Sequence, residues 1–468
     1  MIFKQYYLAC LSHASYLIGD EQSGRAVVVD PQRDVSGYVT DAEAMGVHIE
    51  RVIETHFHAD FLSGHLELAH ETGAVISYAD SATPKFPIEP LADGQRLSLG
   101  DVVLEIRHTP GHTPESISIV VYEHADDATP YGVLTGDTLF IGDVGRPDLL
   151  SSVGVTADEL ARQLYHSLHT KLLTLPEETK VFPAHGAGSA CGKALANETE
   201  STIGVQRRTN YALAPMTEDE FVEAVTQGQS VAPLYFAFSA AKNKEWRSLL
   251  DEAQPPPALS LERVLQEQAR GAVVIDSRDP AEFRAGHLAR SINIGLTGRF
   301  AEYAGEVIPA DQRIVLVALP GSAVEAKLRL ARIGFDNVIG SLDDPLRVFH
   351  EHPEIVQQSS RLTGDAFVER VRALPDLQIV NVRNPNETES GIVTSAVLVP
   401  LPRLGADAEV LDPNRPTVVY CASGVRSAIA VSALEARGFA DVSDVIGGYD
   451  ACVAAGAPTS DPTAETRS

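Results

Sequence analysis

Short apolar runs alternate with helix-period stretches along most of the chain. In the first half, AVVVD, RVIETH, VLEIRHT, ISIVVY, GVLTGD and KVFPAH are rich in β-branched residues and read as strands. Four of these six end in Asp or His, and a fifth reaches His112 three residues further on, so chemically active side chains collect along one sheet edge. In the second half, IVLVAL precedes SAVEAKLRLARIG, and TVVYCASG precedes VRSAIAVSALEARG. Strand followed by helix predicts α/β domains with mostly parallel sheets.

The second half also repeats itself. VVIDSRDPAEF aligns with IVNVRNPNET at an offset of 105, pairing Arg278 with Arg383, Pro280 with Pro385, Glu282 with Glu387 and Gly286 with Gly391. ARIGFDNVIGS is echoed later by EARGFADVSDVIGG. Two copies are too few for a solenoid and read as sibling domains. The proline run of Asp251–Ala258 and the polar stretch His352–Leu362 are the expected linkers, and the last dozen residues, APTSDPTAETRS, are expected to be a frayed tail. The domains expected are 1–250, 259–350 and 361–458, in keeping with 468 residues at roughly 150 per domain.

Composition narrows the function. Acidic residues outnumber basic ones 64 to 37, a formal charge of −27, which disfavours binding to nucleic acid or to an anionic membrane surface. The four cysteines, Cys10, Cys191, Cys421 and Cys452, are too few and too far apart for a disulfide scaffold. A reducing compartment follows, and with neither a signal-type apolar segment at the start nor a membrane-length apolar run, the expected location is the cytoplasm.

Twelve of the fifteen histidines lie between His13 and His185, so metal or acid–base chemistry belongs to the first domain. Thr55-His56-Phe57-His58-Ala59-Asp60-Phe61 directly follows a strand, and TPGH112, TGD137 and PAH185 end others. Isolated histidines are usually core residues with hydrogen bonds, the reading given to His166 and His169. Four strand-end elements together point to metal binding.

These elements resemble the metallo-β-lactamase superfamily, whose members carry His-x-His-x-Asp-His followed by His, Asp and His. The resemblance implies a four-layer αββα sandwich with metal at one edge. Phe61 stands where the last histidine of the first motif would serve a second metal, so a mononuclear site is expected. Two histidines and one carboxylate leave open positions that suit Fe(II) and O₂. TGDTLFIGDVGRPD and PAHGAGSACGKAL look like the persulfide dioxygenase branch of the superfamily. That likeness assigns Fe(II) to His56, His112 and Asp137, with His58, Asp60 and His185 supporting them or left over from a second site. It also implies oxidation of a small thiol persulfide, glutathione persulfide first, by O₂ to sulfite and thiol, and carries an expectation of self-association. Arg146 is a candidate to pair with a carrier carboxylate, the alternative being a solvated surface arginine. Cys191, six residues after His185 in a glycine-rich loop, is a candidate to lie near substrate sulfur.

In the third domain, Cys421-Ala-Ser-Gly-Val-Arg426 joins a strand to a helix. Backbone N–H groups in such a loop form an anion-binding nest that favours a thiolate at Cys421, and Arg426 adds positive charge or holds the loop closed. Cys-x₄-Arg is one residue shorter than the Cys-x₅-Arg of cysteine phosphatases and resembles the rhodanese sulfurtransferases, which carry sulfur as a cysteine persulfide. Cys421 and Arg426 are the catalytic residues that this resemblance implies, with sulfite or thiosulfate as partner. No cysteine lies between Cys191 and Cys421, and the first sibling reads VALPGS in the loop region, so it is expected to be silent. The rival readings are a Zn-dependent thioester hydrolase with a regulatory rhodanese appendage, and a C-terminal half that only binds sulfur as a sensor.

Overall fold

The computed structural model describes residues 1–149 and 154–461, so residues 462–468 of the expected tail lie outside the described residues. The chain forms two compact units: Met1–Gln229 with Phe236–Asp251, and Ser230–Tyr235 with the rest from Glu252 onward.

In the first unit, two six-stranded sheets face each other. Alternation along each strand decides which side chains meet. Ile117, Ile119 and Val121 of the strand Ile117–Tyr122 join Tyr16, Ile18, Val27, Val29, Leu104 and Ile106 in the core between the sheets. Val120 and Tyr122 point the other way, against Ala161, Leu164 and Leu168. On the far side, Leu17, Ala26 and Val28 pack on Tyr38 and Ala42 of the helix Ser36–Met45. The layers are therefore α, β, β, α.

The sheets meet at the edge that carries the candidate residues. His13 opens the strand His13–Asp20 of one sheet and bridges to His185, just beyond Lys180–Pro183 of the other. The loop before His112 is pressed onto the helix Ala157–Ser167, where a capping box of Thr156 and Glu159 sets the helix start. A Cβ at Gly111 would come within 2.4 Å of Leu164 Cα, and Gly111 has φ +146°. His166 and His169, expected in the core, are instead exposed, because the apolar stripe of that helix is carried by Leu160, Ala161 and Leu164.

The second unit contains two five-stranded parallel sheets with the same strand order. Val273–Asp276 and Gln378–Asn381 are matching strands in the two. The repeated arginines make matching clamps: Arg278 reaches Asp276 and the Gly286 carbonyl (2.9 Å), and Arg383 reaches Asn381 and the Gly391 carbonyl (2.6 Å). The stretch His352–Leu362 is not a bare linker. Val356–Gln357 pairs with His287–Leu288 of the first sibling, and Ser360–Leu362 pairs with Val442–Val445 of the second. Backbone pairing, which polar side chains do not advertise, accounts for the difference. Tyr235 is buried, its ring filling the space where a Cβ on Gly305 would stand.

No helix of the described residues is long and apolar enough to cross a membrane. Gly111→Ala is expected to destabilise the first unit by about 1–3 kcal/mol through overpacking against Leu164, read as a lower midpoint of its thermal unfolding with the second unit's transition unmoved.

Candidate metal centre

The strand His48–Ile53 delivers the His-x-His loop to the sheet edge. Thr55 there is held from two sides by Asp30: its N–H donates to Asp30 Oδ1 at 2.7 Å and its hydroxyl to Oδ2 at 2.8 Å. With its own proton committed, Thr55 Oγ1 accepts from His56 Nδ1 at 3.0 Å, which leaves the Nε2 lone pair facing the site. His112 is oriented the same way, its Nδ1 donating to the Arg146 carbonyl at 2.8 Å. Both Nε2 atoms aim at Asp137 Oδ2, at 3.9 Å for His56 and 3.4 Å for His112. One ligand atom from each of the three residues lies within 4.8 Å of the others, close enough for one ion to touch all three.

The electrostatics favour a cation. Burial, helped by neighbouring imidazoles, holds His56 well below its ordinary pKa, and burial lowers His112 to about 4, so both offer lone pairs at neutral pH. Burial raises Asp137, and among the described residues neither of its oxygens has a well-formed hydrogen bond. A buried carboxylate left in that state is costly, and a divalent cation supplies the missing partner. The residues present therefore fit a metal ion.

A second set lies alongside. His185 Nε2 is 3.2 Å from Asp60 and 3.4 Å from Asp137 Oδ1, while its Nδ1 bonds the Ser12 carbonyl at 3.1 Å. His58, Asp60 and His185 also bring ligand atoms within 4.8 Å of one another. However, His58 has strong partners behind the site, with Nε2 3.0 Å from Asp30 and 3.4 Å from Glu54. Burial opposes its charge, but these carboxylates outweigh burial and raise its pKa well above the ordinary value. Phe61 packs against this set, its ring 4.3 Å from that of His58 and 4.0 Å from that of His13.

Arg146 is 2% exposed. Its guanidinium grips Asp148 at 2.6 and 2.7 Å and the Ala190 carbonyl at 3.1 Å, and its backbone N–H reaches the Cys191 carbonyl. It thus ties the loop that orients His112 to the loop of Cys191, which is not the setting of a solvated surface arginine. Cys191 is buried beside Asp137 and His185, and burial together with Asp60 and Asp137 pushes its thiol well above the ordinary range.

Five contributors have no role in the sequence reading. Asp30, which ends the apolar run AVVVD, is counted along the sheet edge but assigned no part in the site. Glu54 and His13 carry no motif. The other two lie in the segment after the helix Phe236–Lys242. There Asn243 donates to the carbonyls of His58 and Phe61, both at 2.8 Å, and accepts from Ser63 N–H at 2.9 Å. Arg247 holds Glu67 at 2.8 Å and also bonds the Ser63 carbonyl. Beneath this segment a cavity of about 200 Å³, bordered by Phe57, Ala59, Phe236 and Lys244, reaches His112.

In the second unit, Cys421 follows the strand Thr417–Tyr420, and Gly424, at φ +97°, turns the chain into the helix Val425–Ala436. The Gly424 N–H points at Cys421 Sγ from 3.1 Å, and Ser427 Oγ lies 3.6 Å away. Arg426 pairs at 2.7 and 2.6 Å with Glu387 of the repeated Pro-x-Glu, which closes the loop.

Residues 8–185 match the Metallo-beta-lactamase superfamily, and residues 260–351 and 366–455 each match the Rhodanese-like domain. The chain is 30% identical over 249 residues to the human mitochondrial persulfide dioxygenase ETHE1, covering 52% of this chain and 87% of that protein. It is 32% identical over 185 residues to a cytoplasmic hydroxyacylglutathione hydrolase of Arabidopsis thaliana, covering 39% of this chain and 67% of that one. A crystal structure described as a metallo-beta-lactamase from Staphylococcus aureus is 33% identical and superposes with a TM-score of 0.66 over 73% of this chain and 98% of that one.

Thr55→Val removes the hydroxyl between Asp30 and His56. It is expected to weaken metal binding by about 10–100-fold, measured by chelator competition on the Fe(II)- and Zn(II)-loaded protein.

Proposed function

Because the chain belongs to the metallo-beta-lactamase superfamily and continues into two rhodanese-like domains, we propose that it is a persulfide dioxygenase joined to a sulfurtransferase. The observation that carries this reading is the set of two histidines and one carboxylate, His56, His112 and Asp137, beside a second set in which Phe61 takes up one ligand position. Likeness to persulfide dioxygenases supports it. Mononuclear Fe(II) is the metal that this donor set suits, and when bound it would supply the redox chemistry of RSSH + O₂ + H₂O → RSH + SO₃²⁻ + 2H⁺.

The protein's own contribution is placement. Thr55 and the Arg146 carbonyl fix both imidazoles with Nε2 forward. The apolar side chains of Phe57, Ala59 and Phe236 line the cavity through which sulfur would reach His112. Glutathione persulfide is the first substrate to test.

In the third domain, Cys421 is the sulfur carrier. Attack of sulfite on the outer sulfur of its persulfide breaks the S–S bond, leaving the Cys421 thiolate and thiosulfate. The reverse reaction loads Cys421 from thiosulfate through the same residues. Arg426 keeps the loop closed around the sulfur through Glu387. The first sibling lacks the cysteine and acts as a silent partner of the second. A zinc-dependent thioester hydrolase is the alternative, favoured by the three donors retained in His58, Asp60 and His185 and by likeness to hydroxyacylglutathione hydrolases.

Metal analysis and O₂ uptake on the freshly purified protein separate the two readings. Stoichiometric iron with O₂ consumption on glutathione persulfide is expected, whereas stoichiometric zinc without O₂ consumption would overturn the dioxygenase reading. Cys421→Ser is expected to abolish thiosulfate:sulfite sulfur exchange while leaving O₂ uptake at the wild-type rate. Persistent exchange would remove Cys421 from the mechanism.

A further inference from the structure

We propose that Lys244 anchors the carboxylate of the thiol carrier, making the metal centre selective for persulfides of small carboxylate-bearing thiols. The inference rests on the reading of this centre as a persulfide-oxidising site.

The cavity that reaches His112 is walled mainly by Phe57, Ala59, Phe236 and Ala240. Among its described lining residues only His112 and Lys244 are ionisable. His112 is assigned to the metal, so Lys244 is the one cationic side chain among the described residues lining the cavity. At about 200 Å³ the cavity is smaller than the roughly 300–1,000 Å³ of sites that enclose drug-sized ligands. It suits the sulfane end of a carrier and the few carbons that follow, with any larger remainder outside.

Lys244 is set apart from the cations around it. Lys85 pairs with Glu245 at 2.7 Å, Lys242 lies 3.7 Å from Glu245, and Arg247 is held by Glu67. Among the described residues Lys244 makes no such pair, in a chain where acidic residues outnumber basic ones 64 to 37. Instead its Nζ sits 4.8 Å from the centre of the Phe57 ring, on the cavity wall. An anionic substrate approaching a protein of net charge −27 meets general repulsion, which a local cation on the cavity wall offsets.

Its position is also fixed relative to the metal ligands. The adjacent Asn243 is fully buried and bonds the His58 and Phe61 carbonyls and the Ser63 N–H, gripping the same loop that carries His56. The Lys244 carbonyl accepts from the Lys85 N–H at 2.6 Å. The ammonium therefore works from a backbone held on both sides, and a carrier bound to it presents its sulfur at a set reach from His112.

The test compares Lys244→Gln and Lys244→Arg with the wild type as full-length iron-loaded proteins of equal metal content and melting temperature. O₂ uptake is followed with cysteine persulfide and glutathione persulfide, which carry carboxylates, and with cysteamine persulfide, which carries none. Loss of one charge-assisted contact predicts that Lys244→Gln raises KM about 10–100-fold for the first two. It leaves kcat within about twofold, leaves cysteamine persulfide unaffected, and Lys244→Arg recovers most of the loss. An unchanged KM, or an equal rise with cysteamine persulfide, overturns the proposal. Calorimetric binding of glutathione itself to the same proteins reads the contact without turnover. Absence of O₂ uptake in the wild type would thus fail the dioxygenase reading alone, and equal glutathione affinity in wild type and Lys244→Gln would fail the Lys244 anchor alone.

Discussion

The first unit is organised around one buried carboxylate. Asp137 lies between three histidines, with Oδ2 toward His112 and His56 and Oδ1 toward His185, and among the described residues its oxygens have no well-formed hydrogen bond. Much of the surrounding backbone exists to bring it there without crowding. Gly136 turns at φ +51° beneath it, and at Gly145 a Cβ would fall 1.9 Å from the Asp137 carbonyl oxygen. The orienting contacts of Thr55 and the Arg146 carbonyl have little purpose unless the two Nε2 atoms share a target with that carboxylate. The sheet edge is in effect a frame for one charge that needs a counter-ion.

How far this could be read from sequence depends on whether a residue's role is local. Strand ends are local, so the α/β character and the convergence of His56, His112, Asp137 and His185 were visible in the pattern of apolar runs closed by Asp or His. Phe61 was equally plain, because an aromatic residue cannot replace a metal ligand. The behaviour of His58 was not, since its strong partners, Asp30 and Glu54, sit behind the loop rather than in the motif. Asn243 was invisible for the same reason, being about 180 residues from the carbonyls it bonds. Arg146 shows the limit in another form. A charged side chain in a loop is ordinarily solvated, and only packing reveals that this one is buried between two loops.

The two siblings separate structural from chemical conservation within one chain. Asp276, Arg278 and Gly286 in one, and Asn381, Arg383 and Gly391 in the other, make equivalent clamps under equivalent strands. The repeated residues therefore report a shared fold. Cys421 and Arg426 belong to one copy alone; after the matching strand Ile314–Val317 the other copy reads Ala-Leu-Pro-Gly-Ser and keeps a left-handed glycine, Gly321 at φ +86°, in the place of Gly424. The two copies thus differ in one short loop while the strands and clamps around it match.

The path of the chain between the units has a consequence for how the protein can be taken apart. Ser230–Tyr235 belongs to the second unit, yet Phe236–Asp251, which follows it, completes the first. No single scission can therefore release both as whole bodies. A break before Ser230 strips the first of Asn243, and a break after Asp251 strips the second of Tyr235 and the ring that covers Gly305. In genetic terms the fusion is a splice rather than a tandem join, and recombination at either natural-looking seam would leave one heir incomplete.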